Sequence, residues 1–233
     1  MISVCIATYN GSLYIKEQLT SILHQIDKKD EIIISDNNST DNTVQIIESI
    51  GDERLKIFIN PVKDGFTYNF ANALVKAKGD YIFFSDQDDV WIDGKVKEIL
   101  PYLKANTLIL HDAYFTDSEL KPTGVLLSEW RKYRKGYFRN LYKRVYTGCT
   151  MAFTKEMKDY FLPIPKGIIG HDAWIGLLSE LKYEVKFIDK PLIYYRRHNS
   201  TVSFSGTTSQ NSFLFMVKYR LRFLYHTLKR YLA

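Results

Sequence analysis

Cysteine is scarce in this 233-residue chain: Cys5 and Cys149 stand far apart and form no CxxC pair. A disulfide framework and a cysteine-ligated zinc are therefore not expected, and a reducing compartment suits the composition. Long apolar runs are missing as well. No stretch of about 18 apolar residues occurs, so a membrane-spanning helix is not expected. The opening MISVCIATYN lacks the basic flank and longer apolar stretch of a signal peptide, and export by that route is not expected either. Three short signatures are absent: GxxxxGK[ST], GxGxxG and HExxH. P-loop, dinucleotide-binding and zincin chemistry are disfavoured accordingly.

What remains is an ordinary folded composition, 45% hydrophobic and 25% charged, long enough for one large domain with a sizeable core. The formal net charge is +6. A basic balance of this size points to an anionic partner: nucleic acid, a phosphorylated ligand or an acidic membrane face. Much of the positive charge sits in WRKYRKGYFRNLYKR (130–144) and MVKYRLRFLYHTLKRYLA (216–233), not in the first hundred residues. The front half must bind by something other than bulk charge.

That front half alternates. ISVCIAT (2–8) and EIIIS (31–35) are β-branched runs ending in turn chemistry, and they read as buried strands. Between them Leu13, Leu19, Ile22, Leu23 and Ile26 share one helical face. Ser39 to Thr43 supply cap-like residues before the helix VQIIESI; the strand LKIFI, the helix TYNFANALVKA and the strand DYIFFS follow. Such alternation predicts a parallel sheet covered by helices, with ligands at the carboxyl ends of its strands. Thr8 to Asn10, Asp36 to Asn38 and Asp86 to Asp89 all fall there. Beyond residue 98, TLILHDAYF, VYTGCTMAF, EVKFID and PLIYYRR read as strands, with a basic, aromatic loop after the first and DAWIGLLSEL as a helix. From residue 211 onward the spacing is helical again.

The sharpest feature is GDYIFFSDQDDVW (79–91), three carboxylates within four positions of a basic chain. Like charges that close resist desolvation, so the cluster needs open water or a cation. A hard divalent ion bridging carboxylates to substrate phosphates is one reading. An acidic turn capping a helix that begins near Val90 is the other. An ionised Asp36 would suit the imide N–H of a pyrimidine base.

Taken in order, VCIATYNG, IIISDNNSTDNT, GDYIFFSDQDDVW and GHDAW resemble the glycosyltransferase family 2 enzymes with the GT-A fold. They are similar in particular to bacterial rhamnosyltransferase-like members. The resemblance covers about residues 1–205 and is most specific in the first 91. It implies an α/β Rossmann-like nucleotide-sugar-binding sheet with flanking helices and a C-terminal helical tail. Residues 1–97 would be the nucleotide-sugar half and 98–205 the acceptor-binding and catalytic half of one domain; 206–233 would be a basic amphipathic helix.

The resemblance also implies roles. Asp86 lies near the ribose, Asp88 holds a magnesium or manganese ion that bridges the donor diphosphate, and Thr8, Tyr9, Asn10 and Asp36 form the nucleotide pocket. Asp172 matches the general base, with His171 where glutamate is common; by itself, Asp172 would also suit a helix cap. His198 completes the metal site or touches the diphosphate, and Arg196 and Arg197 suit phosphate oxygens, Arg197 being the one assigned to the donor. Asp89 and Trp91 are supporting positions. The chain departs from many relatives in lacking an Ala-Arg-Asn stretch before GDY, and Asn69 or Lys63 would take over that contact.

The function so implied is inverting transfer of a sugar, rhamnose from dTDP-rhamnose or a hexose from UDP, to a lipid-linked surface polysaccharide. A cytoplasmic place at the inner face of the bacterial plasma membrane would follow, with no nucleic acid as partner. Two rivals are a sugar-phosphate nucleotidyltransferase, whose glycine-rich basic amino-terminal signature is missing, and a nucleic-acid-binding protein using the basic aromatic segments. In the tail, Leu214, Met216, Val217, Leu221, Leu224, Leu228 and Leu232 form a broad apolar side among basic residues. Contact with anionic lipid, packing on its own domain and a homodimer interface are the three expectations for it.

Overall fold

The computed structural model describes residues 1–62, 65–143, 145–198 and 212–233. Strands β1 (Ile2–Thr8), β2 (Glu31–Asp36), β3 (Leu55–Ile59) and β4 (Tyr81–Ser85) form a parallel sheet in the order β3-β2-β1-β4. Helices α1 (Ile15–Leu23), α2 (Thr43–Ser49) and α3 (Phe66–Lys76) are the crossovers. β1 and β2 are buried almost throughout, which explains their unbroken apolar runs: a strand covered on both faces has no polar side to alternate with. Successive side chains still go to opposite cores. Val4, Ile6, Ile32, Ile34 and Phe83 join the α1 side, whereas Cys5, Ile33, Ile82 and Phe84 join the α3 side.

The same sheet runs on past residue 98. β5 (Val90–Trp91) and helix α4 (Lys95–Ile99) are followed by the long β6 (Thr107–Thr116), then β7 (Pro122–Leu126), α5 (Leu127–Arg131) and α6 (Tyr137–Lys143). β8 (Met151–Thr154) leads into α7 (Lys155–Phe161), α8 (His171–Lys182), β9 (Glu184–Arg196) and α9 (Phe213–Leu232). β8 lies antiparallel between β4 and β6; β9 runs parallel to β6 and antiparallel to β5. β7 pairs with β6 off the main path.

Several expectations need correction. Leu13 is 82% exposed and precedes α1, because a turn accepted by the Gly11 carbonyl starts the helix later; Ile15 takes the buried place instead. No helix begins near Val90, since that residue and Trp91 pair with β9. The helix-cap reading of the acidic turn fails with it. In the segment 145–153 only Met151 onward is strand, and the residues expected as two strands after 183 form the single β9, whose register shifts near Pro191. The segment expected as a basic loop folds into β7, α5 and α6.

Glu180 of α8 organises that last segment. It accepts from Tyr133 Oη (3.0 Å), the Gly136 amide (2.9 Å), Asn140 Nδ2 (2.8 Å) and Tyr146 Oη (3.1 Å). Its removal leaves four donors short of an acceptor. Glu180→Ala is therefore expected to cost about 1–3 kcal/mol, read as a lower midpoint in urea denaturation.

α9 packs on α8 and α6 through Phe223 and Thr227, with Thr227 Oγ1 and Tyr137 Oη 2.5 Å apart. Packing on its own domain is thus observed, and of the apolar set read from the sequence Leu224 packs against the core beside Phe223. Leu214, Leu221, Leu228 and Leu232 remain exposed.

Candidate active site

Parallel register places the three polar turns side by side. Thr8 pairs with Asp36 and Ile6 with Ser85, so β1, β2 and β4 deliver their following residues to one edge. Gln87, which the sequence reading passed over, joins two of these turns. Its Oε1 accepts the Tyr9 amide at 2.8 Å and its Nε2 donates to the Tyr9 carbonyl at 3.1 Å. Gly11 makes room, because a Cβ there would lie 2.5 Å from Gln87 Oε1.

The acidic turn is held from below and from one side. Trp91 is buried in the core and donates Nε1 to Ser85 Oγ, which accounts for it as packing. Asp89 is 1% exposed; its Oδ1 accepts the Arg196 amide at 3.1 Å. The buried Arg196 guanidinium donates Nε to the Asp88 carbonyl at 2.8 Å and pairs with Glu17. Arg196 is therefore a clamp on the turn and not the phosphate ligand it was expected to resemble. Lys95, fully buried, donates to the Cys149 carbonyl at 3.1 Å and lies 4.2 Å over the Trp91 ring. Desolvation brings its ammonium pKa down to about 7.

Asp86 is half-buried. Its pKa is pushed up to about 7, first by desolvation and then by the charges of Asp88 and Asp172. Burial, then the charges of Asp88 and Asp86, raise Asp89 well above the carboxylate range. These shifts state the crowding of carboxylates in energetic terms: the charge of Lys95 offsets only part of it. Asp88 Oδ2 lies 2.8 Å from His198 Nε2, and Tyr14 packs against the imidazole at 4.7 Å between ring centres. A carboxylate oxygen and an imidazole nitrogen 2.8 Å apart fit a divalent ion such as manganese. A second grouping, Asp86, Asp89 and Cys149, has its ligand atoms within 4.8 Å of one another. It fits poorly, because the thiol is fully buried, its pKa is raised by desolvation and then by both aspartates, and its sulfur is soft.

The nucleotide-pocket residues divide. Asp36 is fully buried: Oδ1 accepts the Ser39 amide at 2.7 Å, and Oδ2 accepts Thr8 Oγ1 at 2.8 Å and Ser39 Oγ at 2.6 Å. It shapes the turn and presents no open oxygen to a base, contrary to expectation; the lone pairs are spent on the residues that would line the pocket. Thr8 is buried with it. Tyr9, 53% exposed, and Asn10, in a left-handed conformation at φ 49°, reach the rim. Asn10 Oδ1 accepts the Thr40 amide at 2.8 Å. Asn69 is buried and donates to the Thr8 carbonyl at 3.0 Å, so it too supports the pocket from behind. Lys63 lies outside the described residues. The Arg197 amide donates to the Thr116 carbonyl at 3.0 Å, which places this half-buried residue next to His198 at the end of β9.

Asp172 stands in the first turn of α8, one residue past its start, half-buried. Its Oδ1 accepts the Ala173 amide at 2.8 Å, while Oδ2 has no hydrogen-bond partner among the described residues. One oxygen thus serves the helix end and the other is available as a base. The neighbouring His171 meets Phe84 of β4, two residues before Asp86, which brings the start of α8 to the same edge as the acidic turn. His171 anchors the helix start: it is 4% exposed, stacks on Phe70 at 3.9 Å and meets Phe84 edge-on at 5.3 Å. Desolvation lowers its pKa to about 4. The folded chain therefore favours neutral imidazole, so the stability it contributes is complete above about pH 6.5 and is lost as pH falls toward 4, some 3 kcal/mol in all. Urea denaturation at pH 7 and pH 4.5 should show this acid loss reduced in His171→Leu.

A profile of the family described as Glycosyl transferase family 2 matches residues 3–161. Among curated relatives, dTDP-rhamnosyl transferase RfbG of Shigella flexneri is 30% identical over 83% of this chain and 72% of its own. A GalNAc(5)-diNAcBac-PP-undecaprenol beta-1,3-glucosyltransferase of Campylobacter jejuni is 34% identical over 84% and 64%. The chain spans about half to seven tenths of the length of the first such relatives. Among solved structures, S. aureus TarS 1-349 with UDP-GlcNAc aligns with a TM-score of 0.69 at 20% identity, over 96% of this chain and 66% of that one. The mannosyltransferase PcManGT of Pyrobaculum calidifontis, with GDP-Man and Mn2+, aligns at 0.58 and 19% identity, over 82% and 54%. The architecture is the GT-A fold. With a profile match across most of its length and the ordered turns built as described, the chain belongs to glycosyl transferase family 2.

Proposed function

We propose that the chain transfers a sugar from a nucleoside diphosphate to a hydroxyl of a lipid-linked glycan, with inversion at the anomeric carbon. The observation that carries this reading is the convergence of two unlike groups on one sheet edge: the Asp88 and His198 pair, and Asp172 with an uncommitted oxygen at the start of α8, which packs on β4 through His171. Asp172 takes the proton of the acceptor hydroxyl as that oxygen attacks the anomeric carbon opposite the diphosphate. When bound, a divalent ion held by Asp88 and His198 supplies positive charge to the departing diphosphate oxygens. Tyr9 and Asn10 meet the nucleotide, Asp86 lies toward the ribose, and Arg197 is assigned to the diphosphate. Residues 1–97 would then hold the donor and 98–205 the acceptor.

The relative in Shigella supports dTDP-rhamnose as donor, and UDP-hexoses compete. The undecaprenol-linked substrate named for the Campylobacter relative supports a lipid-linked acceptor, and with it a place at the inner face of the plasma membrane. No helix among the described residues is long and apolar enough to cross a membrane. Calorimetric titration of dTDP, UDP and GDP and their sugars, with and without Mn2+, tests the reading. Saturable binding of a dTDP- or UDP-sugar that needs the ion supports it; indifference to every nucleotide contradicts it.

A further inference from the structure

We infer that the outward face of α9, continued by α6, is a docking surface for an anionic lipid bilayer. The helix has two opposite faces. Phe223 and Thr227 are buried against the domain, whereas Leu214, Leu221, Tyr225, Leu228 and Leu232 recur at helical spacing on the far side. Leu221 is 58%, Tyr225 60% and Leu232 81% exposed. Burial of each such leucine in the acyl boundary strengthens binding by roughly tenfold or more.

The surface does not stop at the helix. Arg220 donates to the Tyr142 carbonyl at 3.1 Å and its guanidinium lies 4.7 Å over the Tyr142 ring, which fixes α6 beside α9. Tyr142 and Phe138 of α6 are 63% and 75% exposed. Exposed aromatic residues beside an aliphatic stripe match the boundary between headgroups and acyl chains.

Charge selects the occupant. Residues 212–233 hold five arginines and lysines and no acid. Arg222 and Arg230 donate to backbone carbonyls of Gly167, Tyr160, Leu162 and Pro163, so they fasten the helix without neutralising it. Lys218 and Lys229 stand exposed alongside the apolar stripe. A second copy in two-fold contact would oppose like charges across this face, whereas an anionic bilayer offers the opposite sign.

The inference does not depend on the sugar chemistry and is tested without a donor. The full chain is sedimented with phosphatidylcholine vesicles with and without phosphatidylglycerol. Binding to the anionic vesicles is expected, falling roughly tenfold or more in Leu221→Glu/Leu232→Glu. Lys218→Glu/Lys229→Glu should weaken it by roughly tenfold or more at low salt. Unchanged thermal midpoints show that the variants are folded. Absence of vesicle binding in the wild type, or equal binding by all three proteins, overturns the inference. A concentration-dependent dimer that Leu221→Glu breaks, with no vesicle affinity, assigns the face to a second copy instead.

Discussion

Replacing Asp88 by asparagine is expected to lower sugar transfer by roughly 10²–10³-fold, because the substitution removes the anionic oxygen that pairs with His198 and leaves the turn otherwise in place. The shape of the turn depends on other atoms. Arg196 holds the Asp88 carbonyl and the Asp89 carboxylate, and Gln87 holds the Tyr9 backbone. None of these bonds involves the Asp88 carboxylate, so the thermal midpoint should stay close to that of the wild type. The loss should be carried by the ion: Mn2+ binding measured by calorimetry weakens, and because the ion also stabilises the departing diphosphate, saturating donor restores little activity. Wild-type turnover and Mn2+ affinity in Asp88→Asn would remove Asp88 from the site.

Asp172→Asn should give the complementary result. Asparagine keeps an oxygen for the Ala173 amide and so preserves the start of α8, which His171, Thr67 and Trp174 also hold in position. It cannot accept the acceptor's proton. Turnover is expected to fall by about 10²–10⁴-fold with donor affinity retained in the presence of Mn2+. Single-turnover kinetics beside donor titration separates the two steps. Intact turnover would leave Asp172 as a helix-end residue and require another base; parallel loss of donor affinity would mean that it contacts the donor.

The sequence shows the first four strands and their crossovers well, because apolar runs and turn residues report burial directly. It shows less where pairing is long-range. Val90 and Trp91 look like the entry to a helix until β9 arrives a hundred residues later to pair with them. The basic run after Trp130 looks like a loop because the acceptor that orders it, Glu180, lies fifty residues away on α8. The same limit applies at the site. Asp88, His198 and Asp172 are legible as chemical types, whereas the burial of Asp36 and the clamping by Arg196 depend on which partner reaches each side chain first. Gln87 could have been noticed, being the one amide between two aspartates in a turn whose neighbours all carry charge.

The most direct measurement is the anomalous scattering of manganese in crystals grown with Mn2+ and a nucleoside diphosphate. The predicted peak lies between the Asp88 carboxylate and His198 Nε2, against the diphosphate and on the Asp172 side of the turn. A peak seated instead among Asp86, Asp89 and Cys149, or a nucleotide bound with no metal beside Asp88, would contradict it.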